Sequence, residues 1–187
     1  MCFDGAMPSF PILTTQRLSL RQFTQADAGD IQHLVSSKEV AAGTFLPHPY
    51  ETGFAEQWLA ERQTAYEQGI AISFAIVLAS PQRLIGSISL DIVSPHQHAR
   101  MGYWLGIAYW NQGYCTEAVK AVLQYGFTGR QLHRIYAPHF KGNEASGRVL
   151  QKVGMTYEGR MREHYVRFGQ YVDLELYGML RREFGLL

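Results

Sequence analysis

The sequence predicts one α+β domain built on a mixed sheet, and three observations predict it. Alternating or aliphatic segments separated by turn residues fill the middle of the chain, a glycine turn runs from Trp110 to Ala118, and a helix and a further strand follow it. At 187 residues, 47% hydrophobic and 18% charged, the chain can bury one substantial core. Residues 1–12 are expected to be a loose leader and residues 13–187 the single domain.

Arg17-Leu18-Ser19-Leu20-Arg21 alternates strictly, as a half-buried strand does. Thr24 to Asp27 then has the form of a helix cap with an acid in the first turn, and Ile31, Leu34 and Val35 give helical spacing. A loop with Gly43, Pro47 and Pro49 precedes a second helix, from Phe54 to about Gln68, which Gly69 can end. Ile70 to Leu78 and Leu84 to Val93 flank a turn at Ala79–Arg83 and read as a hairpin; in the second strand Ile85, Ser87, Ser89 and Asp91 are out of phase with Gly86, Ile88, Leu90 and Ile92. Arg100 to Ile107 extends the antiparallel meander. A helix from Thr116 to Phe127, with Ala118, Val119, Val122, Leu123 and Phe127 on one face, leads to a strand at His133–Ala137, so a parallel pair joined by a right-handed crossover is expected. Asn143 can cap a further helix with Ala145, Val149, Leu150 and Val153 as its stripe and Gly154 as its stop. Extended segments near Met155–His164 and Tyr171–Leu180 finish the chain.

Composition argues against several classes. Cys2 lies in the leader and Cys115 in the turn, so free thiols are expected rather than a disulfide. The seven histidines are scattered, and only His96 and His98 sit together, in a turn, so no metal site is expected. With a net charge of +1 and no basic run, a nucleic-acid partner is disfavoured. No apolar run approaches the roughly 20 residues a membrane helix needs, and Met1–Pro8 lacks the features of a signal peptide, so a cytoplasmic protein is expected.

The chemistry concentrates at Gly113. A strand, a glycine turn and a helix N-terminus aim unpaired N–H groups and a positive dipole end at one spot, which suits a phosphate. An antiparallel strand lying beside one reached by a crossover can splay from it and leave backbone groups for a ligand with amides of its own. Pantetheine joined to pyrophosphate has that shape.

Tyr109 to Ala118, Asn143-Glu144-Ala145-Ser146, Lys152-Val153-Gly154-Met155 and Glu158-Gly159 resemble the GNAT superfamily of acyl-CoA N-acyltransferases. The chain is similar to the branch of Rim-type ribosomal-protein N-terminal acetyltransferases, through Leu13–Arg21, Gly169–Asp173 and Tyr177 as well. In the family's pyrophosphate motif Trp110 stands where Arg or Gln is usual, Gly113 falls on the glycine, and Cys115 takes the place of the final small residue.

The resemblance implies a single GNAT-type domain splayed at the CoA site, with acetyl-CoA as acyl donor and no metal. Leu105, Gly106 and Ile107 would run beside pantetheine, Gln112, Gly113, Tyr114, Cys115 and Thr116 would cradle the pyrophosphate, and Asn143 would hold pantetheine from the opposite wall. Ser146 would face the sulfur and assist its protonation, although a serine three residues after a cap is also structurally ordinary. Asp91 and Glu163 are candidates for binding or deprotonating the amine, each also readable as a surface acid, and Tyr165 takes the place where some relatives carry an acid. Phe45, Tyr103 and Trp104 are candidate walls of the acceptor pocket, and Asp173 reads as structural. Direct transfer to a primary amine is implied, the acceptor being a protein or peptide N-terminus or a small amine such as a polyamine or antibiotic; a non-catalytic acyl-CoA-binding module is the alternative. Dimers are frequent among such relatives, so a homodimer is one expected state.

Overall fold

The computed structural model describes residues 9–185, so most of the expected leader lies outside the described range. Phe10, within that leader, packs its ring on Tyr66 and Phe74 at centroid separations of 4.8 and 5.2 Å. Strands β1 (Leu13–Thr14) and β2 (Leu18–Gln22) lead into helices α1 (Ala28–Val35), α2 (Lys38–Ala42) and α3 (Phe54–Glu67). The meander is β3 (Ala71–Leu78), β4 (Arg83–Val93) and β5 (His98–Leu105). Helix α4 (Tyr114–Gln124), β6 (Arg134–Phe140), α5 (Glu144–Lys152), β7 (Thr156–Arg167), β8 (Gln170–Leu180) and α6 (Arg181–Phe184) complete the chain.

The eight strands form one sheet in the order β1-β2-β3-β4-β5-β6-β8-β7. The β5–β6 pair is parallel and the others are antiparallel, as the crossover through α4 requires. Helices α1 and α3 cover one face, burying Ile31, Val35, Ala55 and Leu59 against Ala75, Val77, Leu84 and Trp104. Helices α4 and α5 cover the other with Ala118, Val119, Val122, Leu123, Leu150 and Val153, over Ile88, Leu90, Met101, Ile135 and Ala137. All five residues expected on the inner face of α4 are buried; Phe127 follows in a single π-helical turn at Tyr125–Gly129.

Three elements differ from expectation. Helix α2, capped by Ser37 Oγ accepting from Val40 N at 3.2 Å, lies in the expected loop; five residues are too few to carry a period. A bulge where Ile76 and Val77 face β4 inserts a residue between Leu84 and Gly86, so Ile85 joins Ile88 and Leu90 in the α4-side core. Ala145 is exposed, because α5 turns Gly147 and Leu150 inward and brings Gly147 against the His139 ring.

Candidate active site

Helix α4 begins at Gly113, whose φ of 81° is left-handed and inexpensive for glycine alone. The first bond within the helix is Glu117 N to Gly113 O at 3.1 Å. Tyr114, Cys115 and Thr116 therefore present N–H groups with no acceptor inside the helix, at the positive end of its dipole. The first hairpin braces this cradle. Glu117 accepts from Thr15 Oγ1 at 2.6 Å, from Arg17 N at 2.8 Å and from Arg17 Nε at 2.7 Å. Burial opposes ionisation of Glu117, yet those three donors hold its carboxyl below the usual range.

Arg17 also donates to Gln112 O at 3.0 Å and lies over the Tyr114 ring at 4.4 Å. Its second terminal nitrogen is 3.4 Å from where a Cβ on Gly113 would sit, so a guanidinium stands beside the N-terminus of α4. Sequence reasoning missed Arg17 as a site residue. The available signal was the pairing of the opening Leu13–Arg21 motif with the acid in the glycine-turn motif.

The cleft leading away from the cradle comes from strand pairing that stops early. β5 pairs with β6 at His98–Arg134, Ala99–Ile135 and Arg100–Tyr136. Beyond that point β5 stays with β4 as far as Leu105, and β6 stays with β8 as far as Phe140. From Met101 and Ala137 onward the two arms separate. Some of the expected pantetheine partners are already engaged: Leu105 O accepts from Trp110 Nε1 at 2.8 Å and Gly106 N donates to Ile85 O at 3.0 Å. Pairing capacity is left to the open edge of β5, since the Ile107 carbonyl also accepts, from Trp110 N at 3.1 Å.

Trp110 thus pins the loop that follows β5, which accounts for its place in the motif without a phosphate contact. The Gln112 side chain is likewise tied back, donating to Ala108 O at 2.7 Å. Cys115 is a half-buried residue whose thiol burial pushes up to about 12, so it is an unreactive small side chain at the cradle.

Across the cleft, Asn143 Oδ1 accepts from Ser146 N at 3.1 Å and caps α5. Its amide nitrogen donates to Gly43 O at 3.0 Å, in the segment that follows α2, and a Cβ on Gly43 would come within 2.9 Å of that nitrogen. Each polar end of Asn143 therefore has one partner within the protein. Ser146 Oγ is 2.8 Å from the hydroxyl of Tyr103, which reaches over from β5. Burial pushes the Tyr103 phenol far above its usual range, so it stays protonated.

The remaining candidates lie elsewhere. Trp104 is buried under α1 and α3, on the opposite face of the sheet from Tyr103, so these two do not share a wall. Phe45 packs on Phe140 and Tyr165, at 4.8 and 5.1 Å between centroids, with Arg100 5.8 Å over its ring. Asp91 is paired with Arg100 at 2.8 Å and with Arg62 of α3 at 3.5 Å. Glu163 is exposed at a bulge of β7, with φ of 49°, and its backbone N–H donates to Asp173 Oδ1 at 2.9 Å. Its carboxylate bonds to no other described residue, Ser146 included. Asp173 also pairs with Lys141 at 3.6 Å and so ties the β7 bulge to the end of β6, a structural part.

A sheet splayed at its parallel junction, with a helix N-terminus at the foot of the split, defines a class of proteins that bind CoA thioesters and transfer their acyl group. The chain belongs to the GNAT acetyltransferases: the model of the acetyltransferase (GNAT) domain matches residues 17–156. It is similar to the uncharacterised N-acetyltransferase YoaA of Bacillus subtilis (strain 168), 32% identical over 173 residues that cover 92% of this chain and 98% of that one. It is also similar to the ribosomal protein uS5-alanine N-acetyltransferase of Escherichia coli (strain K12), 26% identical over 168 residues and 86% of each chain. Among solved structures, a GNAT-family acetyltransferase from Bacillus anthracis superposes with a TM-score of 0.83 at 25% identity, over 92% of this chain and 100% of that one. The protein is thus an acetyl-CoA dependent N-acetyltransferase whose second substrate is an amine. Among the described residues no helix is long and apolar enough to cross a membrane.

Proposed function

We propose that the acceptor is the α-amine of a protein or peptide N-terminus, acetylated in the cytoplasm. The observation that carries this reading is the charge of the sheet face opposite α4 and α5. There Arg62 and Arg100 flank Asp91 beside the Phe45 ring, while Glu158 on the same face is matched by its own arginine, Arg134. Two guanidinium groups against one carboxylate repel a polyamine, whereas a peptide carries one ammonium and backbone carbonyls that arginines can hold. The name of the Escherichia coli relative, an alanine N-acetyltransferase of ribosomal protein uS5, supports a protein acceptor.

In the reaction the neutral amine attacks the thioester carbonyl, an N–C bond forms, the C–S bond breaks, and one proton leaves nitrogen while one reaches sulfur. Cradle N–H groups of Tyr114, Cys115 and Thr116, with Arg17 beside them, would hold the pyrophosphate. The unpaired edge of β5 would align the thioester against the amine, and such orientation can supply roughly 7 to 11 kcal/mol. Ser146 is the proposed proton donor to sulfur. Glu163, free of ion pairs where Asp91 is held by two arginines, is the proposed acceptor of the amine proton, acting through water.

A mass-spectrometric screen with acetyl-CoA tests the acceptor class. Peptides with small N-terminal residues are expected to gain one acetyl group on the α-amine, with matching release of thiol. Turnover of polyamines or aminoglycosides with none of peptides would overturn the proposal.

A further inference from the structure

We infer that Tyr103 is a positioning residue for the transfer, holding the Ser146 hydroxyl so that its one proton points into the cleft toward the CoA sulfur. The inference rests on the reading of Ser146 as proton donor. Tyr103 stands on β5, one arm of the splay, and Ser146 on α5 above the other. The phenol oxygen lies 2.8 Å from Ser146 Oγ and 3.4 Å from Ser146 O, so the hydroxyl is its nearer acceptor.

The direction of the bond follows from counting protons. A phenol has one and a serine hydroxyl has one, with two lone pairs. If Ser146 donated to Tyr103, its proton would be spent inside the protein and lost to the leaving group. A phenol that keeps its proton has one to give, and its shortest contact is to Ser146 Oγ. In the inferred arrangement Tyr103 donates to Ser146 Oγ, the nearer of its two acceptors. The serine N–H is already bound to Asn143 Oδ1. The serine O–H is the group left free to turn into the cleft.

The ring of Tyr103 packs against the α4-side core, which fixes where its hydroxyl can be. During transfer Ser146 gives its proton to sulfur as the C–S bond breaks. It regains one from solvent, to which Glu163 passes on the proton it took from the amine through water; Tyr103 keeps its proton throughout. Sequence alone marks Tyr103 as an aromatic on a strand, with no hint of a partner 43 residues away.

The test is a double-mutant cycle of Y103F and S146A, measured with acetyl-CoA and the best acceptor of the screen. Y103F is expected to lower kcat roughly tenfold, the loss of about one good hydrogen bond, with CoA affinity by calorimetry and the thermal midpoint nearly unchanged. In the S146A background the same change should alter kcat by less than about twofold, since the hydroxyl it positions is gone. Three results would overturn the inference while leaving Ser146 in its role: an undiminished kcat in Y103F when S146A is impaired, equal losses of kcat and CoA affinity in Y103F, or full additivity in the cycle. An unimpaired S146A would overturn the reading of Ser146 itself, and the positioning role with it.

Discussion

Single residues decide what the cradle grips. Gly113 is left-handed and faces the Arg17 guanidinium, so a side chain there is strained and would also enter the space proposed for phosphate. Strain alone costs about 1–3 kcal/mol. A carboxylate adds repulsion from the pyrophosphate, so G113E should weaken CoA at least about 100-fold, two decades being about 2.8 kcal/mol. Titration calorimetry checks this, and unchanged affinity would reject the cradle. Gly113 and Asn143 were legible as the starts of α4 and α5 because their motifs have fixed local spacing. Arg17 was not: its grip on Glu117 spans 100 residues and follows no period. The commitments of Asn143 were hidden for the same reason, since Gly43 is also 100 residues away.

Elements were legible where a period ran long enough. The stripe of α4 and the run of β3 could be read directly, whereas the five residues of α2 could not. The cap of α1 was visible as Thr24 to Asp27, but its strength comes from β2. Arg21 Nη1 and Nη2 each donate to Asp27 at 2.8 Å, and Thr24 N donates to it at 2.7 Å. Burial opposes the charge of Asp27, which is 6% exposed, but these donors hold its carboxyl below the usual range. Removing one partner of such a pair costs about 3 kcal/mol, so D27N should lower the thermal midpoint by about 6–12 °C in a domain of this size. A depressed folded pKa stabilises above the unfolded value of about 3.9, and that contribution is lost as pH falls through the folded value. The gap between wild type and D27N, followed by urea unfolding, should be full at pH 7 and shrink below about pH 4.

At the scale of the molecule, the mixed sheet was legible and its strand order was not. A crossover helix forces β5 and β6 parallel, but no pattern in Gln170–Leu180 says that β8 enters between β6 and β7. The splay joins two arms that meet over three residue pairs, so a ligand bridging them should stabilise the whole domain. CoA at about 100 times its dissociation constant adds about 2.7 kcal/mol, which should raise the midpoint by about 5–11 °C; G113E should abolish the shift in the same thermal scan. The Asn143 side chain gives this coupling a second meaning. One amide caps the helix that carries Ser146 and holds the segment that leads to Phe45, so on the proposed site the two substrates would pull on a shared joint. Thermodynamic linkage then makes the traffic symmetrical: by whatever factor a docked acceptor changes the hold on CoA, CoA changes the hold on the acceptor.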